Sequence, residues 1–188
     1  MMKKILMTSF VAMFTMTSVM AQVTVAEPKD AEETLMLVSN REGVLLDQEK
    51  GTIKASADAS ILIIGTGKMR SRLTLKGTQS SSKVKGSANT RLIISVKDNT
   101  IDPTSFIEIF KFEVTEKERR YLLKEIGVLM KTDSENHSIV DYKATKYGKN
   151  SYLVTMTGLT PGEYGIVIKD PQKPKIKNGM KVATFTVE

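Results

Sequence analysis

The chain of 188 residues contains no cysteine and no tryptophan, and its single histidine is His137. Without cysteine the protein has no disulfide framework, no Cys–His catalytic pair and no lipid attachment through a thiol. The usual zinc sites, which need several His or Cys ligands, are excluded as well. A Ser–His–Asp triad would have to use His137, and no Gly-x-Ser-x-Gly elbow marks a partner serine. We interpret His137 as an exposed loop residue.

Further absences weaken the case for an enzyme. No Phe or Tyr occurs between Phe14 and Phe106, so half of the chain lacks the aromatic platforms on which sugars stack. The stretch Gly65–Lys68 does not complete a P-loop, because Leu62 stands at the position of its first glycine. The acidic residues of Asp133–Asp141 lack the Asp-x-Asp-x-Asp-Gly spacing of a calcium loop. We predict no metal and no cofactor, and we favour a protein that is not an enzyme.

The start of the chain carries a short apolar run. Lys3 and Lys4 precede an uncharged stretch from Ile5 to Val19, and Val19–Ala21 has the small-x-small pattern that signal peptidase accepts. We predict that residues 1–21 are a signal peptide and that the protein is exported to the periplasm or outside the cell. No later stretch has the length of a membrane span, so we expect no transmembrane segment after processing. Cleavage would leave 167 of the 188 residues and lower the formal charge from +7 to +5.

The rest of the chain predicts one domain after a short lead. Residues 22–33 contain Pro28 and several charges without a period, so we predict a flexible lead there. From residue 34 to residue 188, short alternating segments recur about every ten residues between turn residues, which is typical of an antiparallel β-sandwich. We therefore predict an all-β domain over residues 34–188. Its predicted strands are Thr34–Val38, Gly43–Leu46, Thr52–Ala55, Ser60–Ile64, Arg70–Lys76, Thr90–Lys97, Ser138–Lys143, Tyr152–Thr157, Glu163–Lys169 and Val182–Val187.

The middle of the chain allows at most one short helical segment. Asp102 followed by Pro103 is typical of the start of a helical turn. In Phe110–Val114 the apolar and polar residues alternate, which predicts a strand with Arg119–Glu125 as its return partner. However, Thr115–Glu118 also fits the capping box of a helix. We favour the hairpin and keep the helix as the alternative.

The clearest local structure lies between residues 152 and 169. Pro161 and Gly162 occupy the centre of a predicted type II turn, because proline presets φ and glycine enters positive φ at low cost. The strands Tyr152–Thr157 and Glu163–Lys169 flank the turn, so we predict a hairpin-like unit at a corner of the sandwich.

This corner carries a family resemblance. The pattern Leu159-x-Pro161-Gly162-x-Tyr164, followed by a last strand that ends Phe-Thr-Val, resembles the end of immunoglobulin-like and fibronectin type III-like modules. The chain departs from antibody domains, since it lacks their core cysteines and core tryptophan. The resemblance implies an Ig-like sandwich and, by analogy, a role in adhesion, assembly or binding.

Charge is distributed unevenly along the chain. No acidic residue lies between Asp58 and Asp98, whereas that stretch carries eight Lys and Arg side chains. The strands Arg70–Lys76 and Thr90–Lys97 each place basic and apolar side chains on opposite faces, so their basic edges would merge if both strands share a sheet. This pattern suggests a surface for a polyanion or an acidic partner, although charge runs more often mark a solvated face that resists edge pairing. The candidate contact residues are Arg70, Arg72, Lys76, Lys83, Lys85 and Arg91.

The leading functional hypothesis is an exported binding or scaffolding β-sandwich without catalytic residues. Its partner would be an acidic protein or a polyanionic envelope component, and sequence-specific nucleic-acid binding is disfavoured by the lack of a known module. One alternative is an exported hydrolase that cleaves a cell-envelope polymer through two carboxylates about 5–10 Å apart. The other is a subunit of a surface assembly in which residues 22–33 donate a strand to a neighbour.

Overall fold

The computed structural model describes residues 22–58, 67–86, 89–127, 138–169 and 179–188. The predicted signal peptide and the predicted strand Ser60–Ile64 lie outside these ranges. The described residues form thirteen strands and one 3-10 turn, Pro103–Ser105. The strands are β1 Thr34–Leu37, β2 Gly43–Leu45, β3 Gln48–Ala57, β4 Lys68–Lys76, β5 Lys83–Val84, β6 Asn89–Ser95, β7 Ile107–Lys111, β8 Glu113–Val114, β9 Glu118–Gly127, β10 Lys143–Tyr147, β11 Ser151–Thr157, β12 Gly162–Ile168 and β13 Met180–Val187.

The strands form two sheets, which confirms the predicted all-β antiparallel sandwich. The smaller sheet has the order β10-β11-β6-β1-β2, and the larger has the order β7-β12-β13-β3-β4-β9-β8. The short strand β5 pairs in parallel with β13, whereas the pairs along both sheet orders are antiparallel. The 3-10 turn begins as predicted, because the Asp102 side chain accepts a hydrogen bond from the Thr104 amide.

The larger sheet rolls up until its two ends meet. β7 and β8 stand at opposite ends of its strand order, yet Phe112 alone separates them along the chain. The roll gives this sheet an inner face, which it encloses, and an outer face. Its first part, β7, β12 and β13, turns the outer face toward the smaller sheet, whereas β3, β4 and β9 extend away from it.

Two apolar cores result from this arrangement. The main core lies between the sheets, where Leu92, Val154 and Phe185 are completely buried. The second core lies inside the roll and contains Leu73 and Phe110, also completely buried. Strands that separate the cores contribute to both, because successive side chains of a strand point to opposite faces.

The corner between β11 and β12 joins the two sheets. We predicted a hairpin-like unit here, and this was wrong, because β11 pairs with β6 and β10 whereas β12 pairs with β13 and β7. The Tyr164 hydroxyl donates a hydrogen bond of 2.7 Å to the Thr160 carbonyl oxygen and so braces the crossing. Gly162 has a φ of +150°, and a Cβ there would lie 2.5 Å from Lys111 Cε. The backbone at this corner therefore requires glycine.

Two ambiguous segments are resolved by pairing. The predicted hairpin forms only in part: Glu113 lies opposite Arg120 and Val114 opposite Arg119, so the helical alternative does not form. Phe110 and Lys111, predicted in the same strand, pair with β12 instead. Packing inside the roll also favours the strand. The two-residue period of β9 directs the Tyr121 side chain into the second core. The predicted strand Ser138–Lys143 was misplaced: Ile139 makes an isolated bridge, and β10 begins at Lys143.

The lead contains no strand or helix, and it is hydrogen-bonded to the smaller sheet. The Thr24 amide donates to the Asn40 carbonyl, and the Tyr147 hydroxyl donates to the Val25 carbonyl. Glu27 accepts hydrogen bonds from the amides of Lys149 and Asn150. The lead thus runs from the β1–β2 turn to the β10–β11 turn. Donation of this segment to a neighbour stays a prediction.

Candidate binding face

The outer face of β3, β4 and β9 collects exposed cations. The alternate side chains of these strands fill the second core, so the intervening ones point to solvent. Lys50 and Lys54 lie on β3, and Arg72 and Lys76 lie on β4. We call six basic side chains of this surface the basic face; it comprises Lys50, Lys54, Arg72, Lys76, Arg120 and Lys181.

Like charges stand directly opposite each other at two places on the basic face. Lys54 on β3 pairs with Arg72 on β4, and Lys50 on β3 pairs with Lys181 on β13. Residues directly opposite in an antiparallel pair have Cβ atoms about 4.5–5.5 Å apart, and like charges at that distance destabilise the sheet. Fold stability therefore does not explain these two pairs.

The Glu118 carboxylate lies within this group of cations. It forms a salt bridge of 2.8 Å with Lys54 Nζ and one of 2.6 Å with Arg120 Nε. These two hydrogen-bonded cations lower the pKa of Glu118. Within the described part of the chain, Arg72 and Lys76 have no salt bridge. The basic face keeps an excess of positive charge, even with Glu118 and the exposed Glu113 opposite Arg120.

At the far end of the same surface the charges are balanced. Arg70 contacts Glu125 at 2.7 Å and Asp58 at 2.8 Å, and Lys68 also contacts Glu125. The side chains of Lys68 and Arg70 lower the pKa of Glu125, and the Lys68 amide and Arg70 lower that of Asp58. Arg70 is thus engaged by two acids.

The candidate residues from the sequence lie in three places. Arg70, Arg72 and Lys76 share the outer face of β4. Lys83 of β5 and the nearby Lys85 lie beside the end of β13. Lys83 Nζ contacts Glu188 at 2.9 Å, and this contact raises the pKa of Lys83. Arg91 lies on β6 in the other sheet, so the condition for merging the edges of β4 and β6 is not met.

Sequence reasoning missed four members of the basic face. Lys50, Lys54, Arg120 and Lys181 come from three strands that are distant in the sequence. A signal for the first two was present, because Lys50, Thr52, Lys54 and Ser56 are polar at every second position. Nothing local indicated that β9 and β13 would join them.

Inside the roll, the neighbouring residue Arg119 is buried in a polar network. Its side chain is 1% exposed, and Nη2 donates to both oxygens of Glu49 at 2.9 and 2.7 Å. Nη1 lies 3.6 Å from Glu163, and the guanidinium stands 5.7 Å from the centre of the Phe112 ring. We call this set the Arg119 network; it comprises Arg119, Glu49, Glu163, Ser80, Thr184 and Thr186.

Each of the two carboxylates of the Arg119 network is held by hydrogen bonds within the network. Glu163 accepts from the Thr186 hydroxyl at 2.6 Å and from the Ser80 amide at 2.8 Å. Glu49 accepts from the Thr184 hydroxyl at 2.7 Å in addition to Arg119. A general acid or base needs a carboxylate that can reach a substrate, so this geometry favours a structural role. The hydrolase alternative stays a prediction.

Other candidate chemistry is sparse in the described ranges. No group of three or more His, Asp or Glu side chains there is arranged to hold a metal ion. No helix in those ranges has the length and hydropathy needed to cross a membrane. His137 and Asp133 lie outside the described residues.

Comparison with known proteins finds no family model, no curated protein and no solved structure that matches this chain.

Proposed function

We propose that the protein is a binding module that holds a polyanion, such as an acidic polysaccharide, on the basic face. The observation that carries this proposal is the two pairs of opposed cations, Lys54 with Arg72 and Lys50 with Lys181. The Lys50–Lys181 pair costs stability in the free protein, and Glu118 offsets the Lys54–Arg72 repulsion only on the Lys54 side. An anionic group between the two cations of a pair would remove the remaining cost.

The spacing of the cations supports a repeating ligand. Neighbouring strands lie about 4.8 Å apart, and alternate residues of one strand lie about 6.8 Å apart. Lys54, Arg72 and the cations around them thus form a regular array of positive charge. A chain with regularly spaced anionic groups matches such an array better than one compact anion does. Summed potentials of this kind also raise the rate of encounter with an anionic partner.

We also propose a finer assignment of the fold. The hydrogen bond from Tyr164 to Thr160, four residues upstream, supports an Ig-like module with a tyrosine corner. The departure is the rolled larger sheet, which carries the basic face on its extension.

Retention on immobilised heparin tests the proposal. Lys54→Ser combined with Arg72→Ser should elute at clearly lower salt than the unmodified protein, because both substitutions remove cations from the basic face. The matched control is Lys143→Ser combined with Lys146→Ser, which removes the same net charge from exposed positions on β10. The control should elute close to the unmodified protein.

Two results would contradict the proposal. Equal shifts for both double variants would mean that only net charge matters. Elution of the unmodified protein at very low salt would mean that the basic face is a solvated surface without a polyanionic ligand.

A further inference from the structure

The inner face of the larger sheet continues beyond the second core as an open trough. In successive rows Ala55 lies opposite Ser71 and Ala57 lies opposite Met69, and Lys124 of β9 flanks Ser71. Three of these side chains are small, so the sheet is hollow between Met69 and Lys124. The hollow has a volume of 290 Å³.

The trough exposes apolar surface. Met69 is 50% exposed, and Ala55 and Ala57 are exposed as well. Contact of apolar surface with water costs about 25 cal/mol per Å². Concave sites lined by apolar groups with few polar ones are typical of small-molecule binding, and 290 Å³ lies at the lower end of their range of about 300–1,000 Å³. The volume suits a single hydrocarbon chain better than a multi-ring compound.

The charges at the trough select the sign of the ligand. Arg70 lies at its rim, but Asp58 and Glu125 already engage Arg70. Lys124 also lines the trough, and within the described ranges its ammonium group has no salt bridge. One uncompensated cation beside an apolar hollow is complementary to an amphiphile with a negative head group.

We propose that this trough binds the hydrocarbon chain of a single-chain anionic amphiphile, with Lys124 at its carboxylate. A long-chain fatty acid has this chemistry. The site is independent of the basic face, because no residue of the basic face lines the trough. Failure of one would leave the other standing.

Methyl NMR with dodecanoate tests the assignment at the level of the residue. In protein labelled with ¹³C at the methionine methyl groups, the Met69 signal should shift and saturate as dodecanoate is added. Met36 and Met156 are buried in the main core and serve as internal controls that should stay in place. Dodecyltrimethylammonium, which has the same chain and the opposite charge, should bind at least about tenfold more weakly.

Variants separate the head group from the chain. Lys124→Glu should weaken dodecanoate binding at least about tenfold, whereas Lys117→Glu, the same charge change in the β8–β9 turn, should have little effect. Ala57→Leu fills the hollow and should abolish the Met69 shift while the Met36 and Met156 signals still report a folded protein.

Three outcomes would overturn the proposal. The Met69 signal does not respond to dodecanoate, or the cationic amphiphile binds equally well, or Lys124→Glu and Lys117→Glu weaken binding alike. The chain's own apolar residues Ile61–Ile64 are the competing occupant. If serine substitution there creates dodecanoate binding that the unmodified protein lacks, the trough belongs to that segment and the proposal is wrong.

Discussion

The two faces of β3, β4 and β9 treat charge in opposite ways. On the inner face Arg119 is almost completely buried, and two carboxylates, Glu49 and Glu163, surround it. On the outer face its sequence neighbour Arg120 is hydrogen-bonded to Glu118, on a surface where Lys54 also lies opposite Arg72. Side chains at successive positions of one strand thus lie in environments that differ in how completely their charges are compensated.

The difference shows which charges the fold needs. A buried charge without a partner costs several kcal/mol, so inner positions must be compensated. Exposed charges are screened by water and salt, so outer positions tolerate repulsion of a few tenths of a kcal/mol. Because nothing in the fold demands repulsion, the opposed cations on the outer face are the better sign of a ligand.

The largest expected effect comes from breaking the Arg119 network. Arg119→Met should lower the free energy of unfolding by about 3–5 kcal/mol, because it leaves the buried Glu163 and the partly buried Glu49 without their cation. Arg120→Met, next to it on the outer face, should cost less than about 1 kcal/mol. Urea denaturation of both variants measures the difference. Similar losses for both would show that the two faces do not differ as described.

The tyrosine corner tests a buried polar group that has a partner. Tyr164 is 2% exposed, and we expect Tyr164→Ala to cost about 3 kcal/mol or more through the cavity it leaves. Tyr164→Phe keeps the ring and loses only the hydrogen bond to Thr160, so it should cost about 1 kcal/mol. Thermal denaturation distinguishes the two variants, and a midpoint that barely moves for Tyr164→Ala would contradict the burial.

Thr34 and Arg119 each have a buried polar atom without a hydrogen-bond partner among the described residues, and Thr34 gives the simpler test. Its side chain is completely buried, and its hydroxyl has no hydrogen-bond partner in the structure. Thr34→Val removes the unpaired hydroxyl at constant shape and should raise stability by about 1 kcal/mol. Chemical denaturation is the measurement, with Thr184→Val as the control, since the Thr184 hydroxyl donates to Glu49 and its loss should destabilise. Destabilisation by Thr34→Val would mean that its hydroxyl has a partner.

Relief of one opposed pair should have a small effect of the opposite sign. Lys181→Thr removes the repulsion with Lys50 and should raise stability by about 0.2–1 kcal/mol while it weakens heparin retention. Lys143→Thr controls for the strand propensity of threonine, because Lys143 lies opposite the uncharged Thr155. Equal gains in the two variants would show that Lys50 and Lys181 do not repel each other measurably.

The pH dependence of the balanced end should be the smallest effect. Lys68 and Arg70 lower the pKa of Glu125 below its ordinary value of 4.5. A carboxylate with a lowered pKa in the folded state stabilises the protein above that ordinary value, and this contribution is lost as the pH falls through the lowered pKa. Glu125→Gln should therefore lose less thermal stability than the unmodified protein on acidification from pH 7 to about pH 3. Glu113→Gln, which removes an exposed carboxylate without a salt bridge, should behave like the unmodified protein, and identical curves for all three would contradict the role of Glu125.

Much of the fold could be predicted from the sequence because the pattern of a strand is local. The alternations in Arg70–Lys76 and in Glu163–Lys169 are properties of a few consecutive residues, and both predicted strands that the structure contains. The partner of each strand was not readable. β11 and β12 are adjacent in sequence, yet they belong to different sheets, because burial of apolar side chains on both faces of β12 outweighs the short loop between them.

The candidate face was readable only in part for the same reason. Arg72 and Lys76 were found because they alternate within one strand, whereas Arg120 and Lys181 enter through pairing across distant segments. The acids Glu118 and Glu125, which the basic stretch itself lacks, also arrive from β9. The basic run in the sequence therefore overestimated the unpaired positive charge at the Arg70 end of the surface. It missed the cations that other strands bring to the opposite end.

By itself the sequence determined the absence of cysteine chemistry, the all-β class, the corner at Tyr164 and the sidedness of strands such as Arg70–Lys76, because all of these depend on residue type and a two-residue period. Only the tertiary structure decided which strands became neighbours, which arginine was buried and where cations met. Those outcomes depend on long-range pairing and on the roll of the larger sheet, which bring together residues that no local pattern connects.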